Sequence, residues 1–325
     1  MSEAGSELMN VKNFTRRRFL GIATAAACGG CRSLFTGAAA DFDETLSIFA
    51  SDVHVSGSEP EYAYTTERLQ AFVADVLRMT PLPRRIFFFG DLARFHGKRE
   101  DYVRAIELIR PLRDAGIEIV MGLGNHDRHD YFFELFPEQA KSSPVPGAAV
   151  SVTRLAHCDF VMLDSLDDRS EGGTGGGRLS DAQQEWLKAE LPRRSRPVLV
   201  GAHHGGYELK LGRYSLHGQL ARMSAVKGYV FGHVHRWSAG YAAGYGWGGA
   251  QRVLRTVSLP SLGYWGDIGW AEFRTEPDKA TVTLRQNDFF FARPVGWGEG
   301  VKTRPPEWDD IVAANRGASC VFRFK

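Results

Sequence analysis

Apolar runs alternating with amphipathic stretches through most of the chain predict an α/β protein with a parallel core. Thr45–Ser51, Arg85–Gly90 and Ile117–Gly122 are short and mostly apolar, the mark of strands buried on both faces. Between them, Tyr64–Met79 (Leu69, Phe72, Val73, Val76, Leu77) and Arg99–Ala115 carry apolar residues at helical spacing. Strand–helix–strand–helix–strand calls for parallel pairing through right-handed crossovers. From Arg252 onward the pattern changes to period-two alternation, which predicts antiparallel strands.

Pro81 and Pro83 end the first helix, and Gly116 is placed to cap the second in the left-handed conformation. Ala148–Leu155 and Asp159–Leu163 read as two further strands. The glycine-rich stretch Gly172–Gly177 lacks the strand–loop–helix setting and the Lys-Ser/Thr of a phosphate cradle, so it reads as a surface loop. Ser180 is expected to cap a helix running to about Leu191, with Gln183 completing a capping box. Pro197–Ala202 and Tyr229–Gly232 are buried strands, with a helix near His217–Met223 between them. Val253–Leu259, Gly269–Arg274 and Ala280–Arg285 form the antiparallel part, and residues from about Pro294 show no clear period.

The 325 residues, 43% hydrophobic and 24% charged, suffice for a substantial core. A net charge of +2 gives no basis for a nucleic-acid surface. Leu8–Ala40 contains no acidic residue; Arg16-Arg17-Arg18-Phe19-Leu20 precedes a short apolar segment and the small residues Ala38–Ala40. That pattern reads as an export signal of twin-arginine type, too short to span a bilayer as a mature helix. Residues 1–40 are therefore set apart from a domain over 41–295, with 296–325 as a C-terminal extension packing on it. The expected location is periplasmic, and membrane attachment would come only through the leader or a lipidated Cys28 or Cys31. No disulfide framework follows from the cysteines Cys28, Cys31, Cys158 and Cys320.

The chemistry lies where the strands end. Asp52 and His54 follow the first strand at i and i+2, on one face of extended backbone. Gly90-Asp91, Gly124-Asn125-His126-Asp127, His203-His204 and His233-Val234-His235 follow the other buried strands. In a parallel sheet those carboxyl ends share one edge, where ligands bind. The sequence thus predicts one crevice lined by carboxylates, imidazoles and an amide.

In this order the blocks resemble those of the calcineurin-like metallophosphoesterases, over about residues 46–260. The resemblance implies a four-layer α/β/β/α sandwich of two mixed β-sheets flanked by helices. It implies two divalent or mixed-valence transition metals (Mn, Fe, Zn or Co). Asp52, His54, Asp91 and His235 would hold the first, and Asp91, Asn125, His203 and His233 the second, with Asp91 bridging and His203 preferred to His204. His126 would contact the phosphoryl group or protonate the leaving group. Asp127 is grouped with it among the catalytic candidates. Two dications, two carboxylates and a bridging hydroxide leave about one positive charge for an anionic phosphate.

Arg94 stands where the purple acid phosphatase branch has a metal-binding Tyr, which argues against a ferric–tyrosinate centre. Arg94 is expected to point into the cleft and hold phosphate. Gly205-Gly206 replace the Pro that many relatives have after the His pair. His96, His129 and His217 could support the ligands or simply pack. Tyr241, Tyr245, Trp247, Tyr264 and Trp265 could roof a substrate pocket or cover the second sheet. The implied activity is hydrolysis of small phosphate esters by in-line attack of the bridging hydroxide, with a phosphodiesterase first. The alternatives are a phosphomonoesterase and a non-catalytic metal-binding scaffold.

Overall fold

A computed structural model of the chain describes residues 40–167, 169, 176–244, 252–285 and 313–325. The leader, Gly172–Gly175, Tyr245, Trp247 and most of the C-terminal extension lie outside the described residues. The first strand, β1 (Phe42–Ala50), starts three residues before its apolar run and buries its last five residues. Helix α1 (Ala63–Leu77) crosses to β2 (Leu82–Phe89), and α2 (Arg99–Asp114) crosses to β3 (Glu118–Gly122). The three strands pair in parallel, with Phe49 opposite Phe87 and Phe87 opposite Val120. Gly116 takes φ +85° just after α2, the left-handed cap its position predicts.

Two short helices, α3 (His129–Leu135) and α4 (Pro137–Ser142), then lead to β4 (Ser151–Arg154) and β5 (Asp159–Met162). Helix α5 (Asp181–Glu190) is capped by Ser180, whose hydroxyl accepts from the Gln183 amide at 3.2 Å. The expected capping box is corrected here. The buried Gln183 side chain instead bonds both backbone groups of Asp164, at 2.7 and 2.9 Å. Next come β6 (Val198–Ala202), the small hairpin β7 (Lys210–Leu211) and β8 (Tyr214–Ser215), α6 (Leu216–Leu220) and β9 (Val226–Phe231). The antiparallel part supplies β10 (Ser238–Gly244), β11 (Arg252–Ser258), β12 (Trp270–Glu276), β13 (Lys279–Arg285) and β14 (Ser319–Arg323).

These strands make two six-stranded mixed sheets, ordered β14-β13-β12-β1-β2-β3 and β10-β11-β9-β6-β5-β4. Apolar clusters show how they stack. Ile48, Ile86 and Phe88 pack on Leu69 and Phe72 of α1 and Tyr102 and Ile109 of α2. The opposite faces meet through Phe49, Phe87, Phe160, Leu199, Val230 and Phe273, with Phe49 stacked on Phe273 at 4.4 Å. Val161, Val198 and Val200 then pack on Leu187 of α5 and Leu216 and Leu220 of α6. The order helix, sheet, sheet, helix is the four-layer sandwich. It sets the carboxyl ends of β1, β2, β3, β6 and β9 side by side.

Candidate metal centre

The loops leaving those strands are knitted together by backbone hydrogen bonds. Asp52 N–H donates to Gly90 O (3.1 Å), His54 N–H to Asp91 O (2.9 Å), Gly232 N–H to His203 O (2.9 Å) and Gly263 N–H to Asp52 O (3.1 Å). Asp52, His54, Asp91, Phe95, His233 and His235 all have φ between 47° and 68°. Such backbone costs non-glycine residues about 1–3 kcal/mol each and persists only where the surroundings over-determine it. Five of the six are the carboxylates and imidazoles singled out from the sequence. The bend turns each side chain from its strand direction into the crevice.

Asp52, His54, Asp91 and His235 form one cluster, all buried, with a ligand-capable atom of each within 4.8 Å of the others. His235 Nε2 lies 3.0 Å from Asp52 Oδ1, and His54 Nε2 lies 3.6 Å from Asp91 Oδ2. A second cluster adjoins it. His203 Nε2 lies 3.2 Å from Asp91 Oδ2 and 3.1 Å from Asn125 Oδ1, and His203, His204 and His233 form a group of ligand-capable atoms within 4.8 Å. Asp91 Oδ2 thus faces both clusters. The structure brings all seven expected ligands to one place.

The outer ring nitrogens explain the orientations. His203 Nδ1 is 2.9 Å from Phe89 O, His235 Nδ1 is 3.0 Å from Trp265 O, and His126 Nδ1 is 2.8 Å from Phe95 O. A proton held at each Nδ1 by a carbonyl leaves Nε2 as the nitrogen presented to the centre. His233 Nε2 instead faces the Glu208 carboxylate at 3.8 Å.

Burial and packed charge set the protonation of the cluster. Burial opposes ionisation of Asp52 and Asp91, yet neighbouring imidazoles hold both carboxyls below the usual range. Burial also disfavours a charged His203, but the Asp91 and Asp52 carboxylates outweigh it and lift its pKa to about 9. Burial, followed by His203 and His233, drives His204 down to about 2. Burial keeps His54 well below 6.5, and burial with His203 lowers His233. In the metal-free protein His203 is thus held protonated against the Asp91 carboxylate. Carboxylate, imidazole and amide donors without a thiolate fit divalent ions from hard to borderline.

The catalytic candidates separate. His126 is half-buried beside His54, with ring centroids 5.2 Å apart, and its backbone N–H donates to Asp91 Oδ1 at 2.9 Å. Asp127 is corrected from catalytic to structural. Its carboxylate accepts from Gly124 N–H (2.9 Å), Ala93 N–H (3.1 Å), Tyr102 O–H (3.2 Å) and Leu92 N–H (3.3 Å), so no oxygen is left for a substrate. Arg94 is also corrected. Its guanidinium is bonded to the Glu59 carboxylate and lies over the Tyr62 ring at 3.0 Å, bracing the wall rather than presenting itself to phosphate.

His129 bonds Asp164 at 2.7 Å, and His217 packs among Tyr207, Tyr229 and Phe231. Tyr264 and Trp265 both lie at the centre, 4.8 Å from the His54 and His235 rings respectively, whereas Tyr241 is exposed on β10. Sequence reading missed Ser165, whose hydroxyl lies 2.9 Å from His204 Nδ1, and Tyr102, whose hydroxyl also accepts from Arg128 N–H at 2.7 Å. A lone hydroxyl outside any motif offers no pattern to read. The sequence places Gly177 in a surface loop, yet a Cβ there would lie 2.5 Å from the His204 ring.

Comparison with known proteins agrees with this geometry. The family model described as calcineurin-like phosphoesterase matches residues 47–237, more than half the chain. The chain belongs to that family. It is 27% identical over 182 residues to a probable cyclic nucleotide phosphodiesterase of Rhodopseudomonas palustris, covering 52% of this chain and 63% of that protein. It is 25% identical over 202 residues to another of Rhodococcus erythropolis, covering 58% of this chain and 64% of that protein. The matches thus span less than two thirds of either relative. In fold it is similar to a dimetal phosphatase from Danio rerio, with a TM-score of 0.56 and 15% identity over 75% of this chain and 96% of that one.

Proposed function

We propose that the protein hydrolyses phosphodiesters at a dinuclear metal centre, with cyclic nucleotides as the first substrate class. The observation that carries this reading is Asp91 Oδ2 between His54 Nε2 (3.6 Å) and His203 Nε2 (3.2 Å), a carboxylate placed to serve two ions. Asp52, His54, Asp91 and His235 would hold one ion; Asp91, Asn125, His203 and His233 would hold the other. Bound there, the pair would supply Lewis acidity and a water of lowered pKa.

The residues themselves do the rest. Carbonyls of Phe89 and Trp265 fix the tautomers of His203 and His235. The Phe95 carbonyl holds His126 so that Nε2 can meet a phosphoryl oxygen or give a proton to the leaving group. Tyr264 is buried and Trp265 half-buried beside the first cluster, a flat wall suited to a base. The names of the two sequence relatives support the diester over the monoester. The leader supports export, so the substrate would be met outside the cytoplasm.

The test is turnover by metal-reconstituted protein of bis-p-nitrophenyl phosphate, cyclic AMP and p-nitrophenyl phosphate. Diester turnover should exceed monoester turnover, and Asn125→Ala should remove most of it. Preference for the monoester would replace the phosphodiesterase reading with a phosphomonoesterase.

A further inference from the structure

We propose that His204 is a further ligand of the second metal position, joining His203 and His233 beside Asn125 and the shared Asp91. This rests on the dinuclear reading and adds to it a residue that reading does not use. The buried Nε2 of His204 has no hydrogen-bond partner. A buried polar atom left alone has lost its hydration with nothing in return, so it calls for an occupant. Its Nδ1 is taken by Ser165 Oγ at 2.9 Å, which leaves Nε2 as the nitrogen on offer. The ring centroids of His203 and His233 lie 4.9 and 4.6 Å away, and the three residues' ligand-capable atoms fall within 4.8 Å of one another.

The ring is held there. Tyr229 O–H donates to the His204 carbonyl at 2.9 Å, His204 N–H donates to Ser165 Oγ at 3.3 Å, and Gly177 closes on the ring. His217 provides the contrast. Its Nε2 also lacks a partner, but the rings around it are Tyr207, Tyr229 and Phe231. That is the setting of a packing histidine; His204 faces two other imidazoles instead. Three imidazoles on one position would favour zinc, cobalt or iron there over magnesium or manganese.

The experiment titrates metal-free protein with Co²⁺, following visible absorption and bound metal by equilibrium dialysis. Wild type should take up two equivalents; failure to do so overturns the dinuclear reading itself. With two equivalents in wild type, His204→Ala should bind the first as before and the second at least about tenfold more weakly, with a changed cobalt spectrum. Unchanged second-site affinity and spectrum, with only KM raised, would make His204 a substrate contact and overturn the proposal. If His204→Ala does not fold by circular dichroism, Ser165→Ala decides. Freeing Nδ1 should weaken the second equivalent about tenfold, the size seen when a ligand loses its support, and no change overturns the proposal.

Discussion

Asp127 shows how one side chain can be chemically apt and yet serve the backbone. It gathers donors from the loop after β2, from the loop after β3 and from α2, and so fixes where Asp91 and Asn125 stand. Removing it would leave several buried donors unmatched. Asp127→Ala should therefore destabilise the protein by about 3–5 kcal/mol in urea unfolding. A stability within error of wild type with activity abolished would restore Asp127 to catalysis. Arg94→Ala should leave KM for a diester within about twofold of wild type while lowering Tm, because the guanidinium is committed to Glu59 and Tyr62. A several-fold rise in KM would return Arg94 to the phosphate. The residue types of the site were legible in the chain. What Asp127 and Arg94 touch was not, since contacts made across 35 residues leave no spacing to read.

Among the elements, the strands most easily read were those buried on both faces. Strand β2 is the plainest case, because Ile86, Phe87, Phe88 and Phe89 are consecutive, apolar and all buried. Strand β10 was missed because Ser-Ala-Gly-Tyr-Ala-Ala-Gly has no apolar alternation; it is a strand because it pairs with β11 along its whole length. Strand β14 was missed because its signal is two residues, Cys320 and Phe322. Phe322 nonetheless fills the space between the sheets, where a Cβ on Gly228 would lie 2.1 Å from its ring. Phe322→Ala should cost about 3–5 kcal/mol in chemical denaturation, as a large core deletion does. A loss below about 1 kcal/mol would show that β14 adds little to the core.

For the whole molecule, the centre is a store of opposed charge that a cation resolves. The proton on His203, with a pKa of about 9, is one that a metal bound there would have to displace. Metal affinity should rise with pH, by about tenfold per unit while one proton is released, and level off near pH 9. Calorimetry in buffers of different ionisation enthalpy checks this; uptake without proton release would contradict it. The sign for the metal-free fold is opposite. A raised His203 pKa gives stability that is full below pH 6.5 and lost as pH rises through about 9. The lowered Asp52 and Asp91 give stability that is present above about pH 3.8 and lost in acid. Removing metal should thus leave a fold whose Tm falls between about pH 7 and pH 10. The convergence of distant blocks was legible because each ends a buried parallel strand. The left-handed turns that aim the side chains were not, because they arise from the loops' mutual hydrogen bonds.

The most direct measurement is anomalous diffraction from crystals of protein reconstituted with manganese or zinc. The account predicts two peaks roughly 3.5–4 Å apart, with the Asp91 carboxylate between them, Asp52, His54 and His235 on one side and Asn125, His203 and His233 on the other. A single peak, or metal bound away from Asp91, would contradict it.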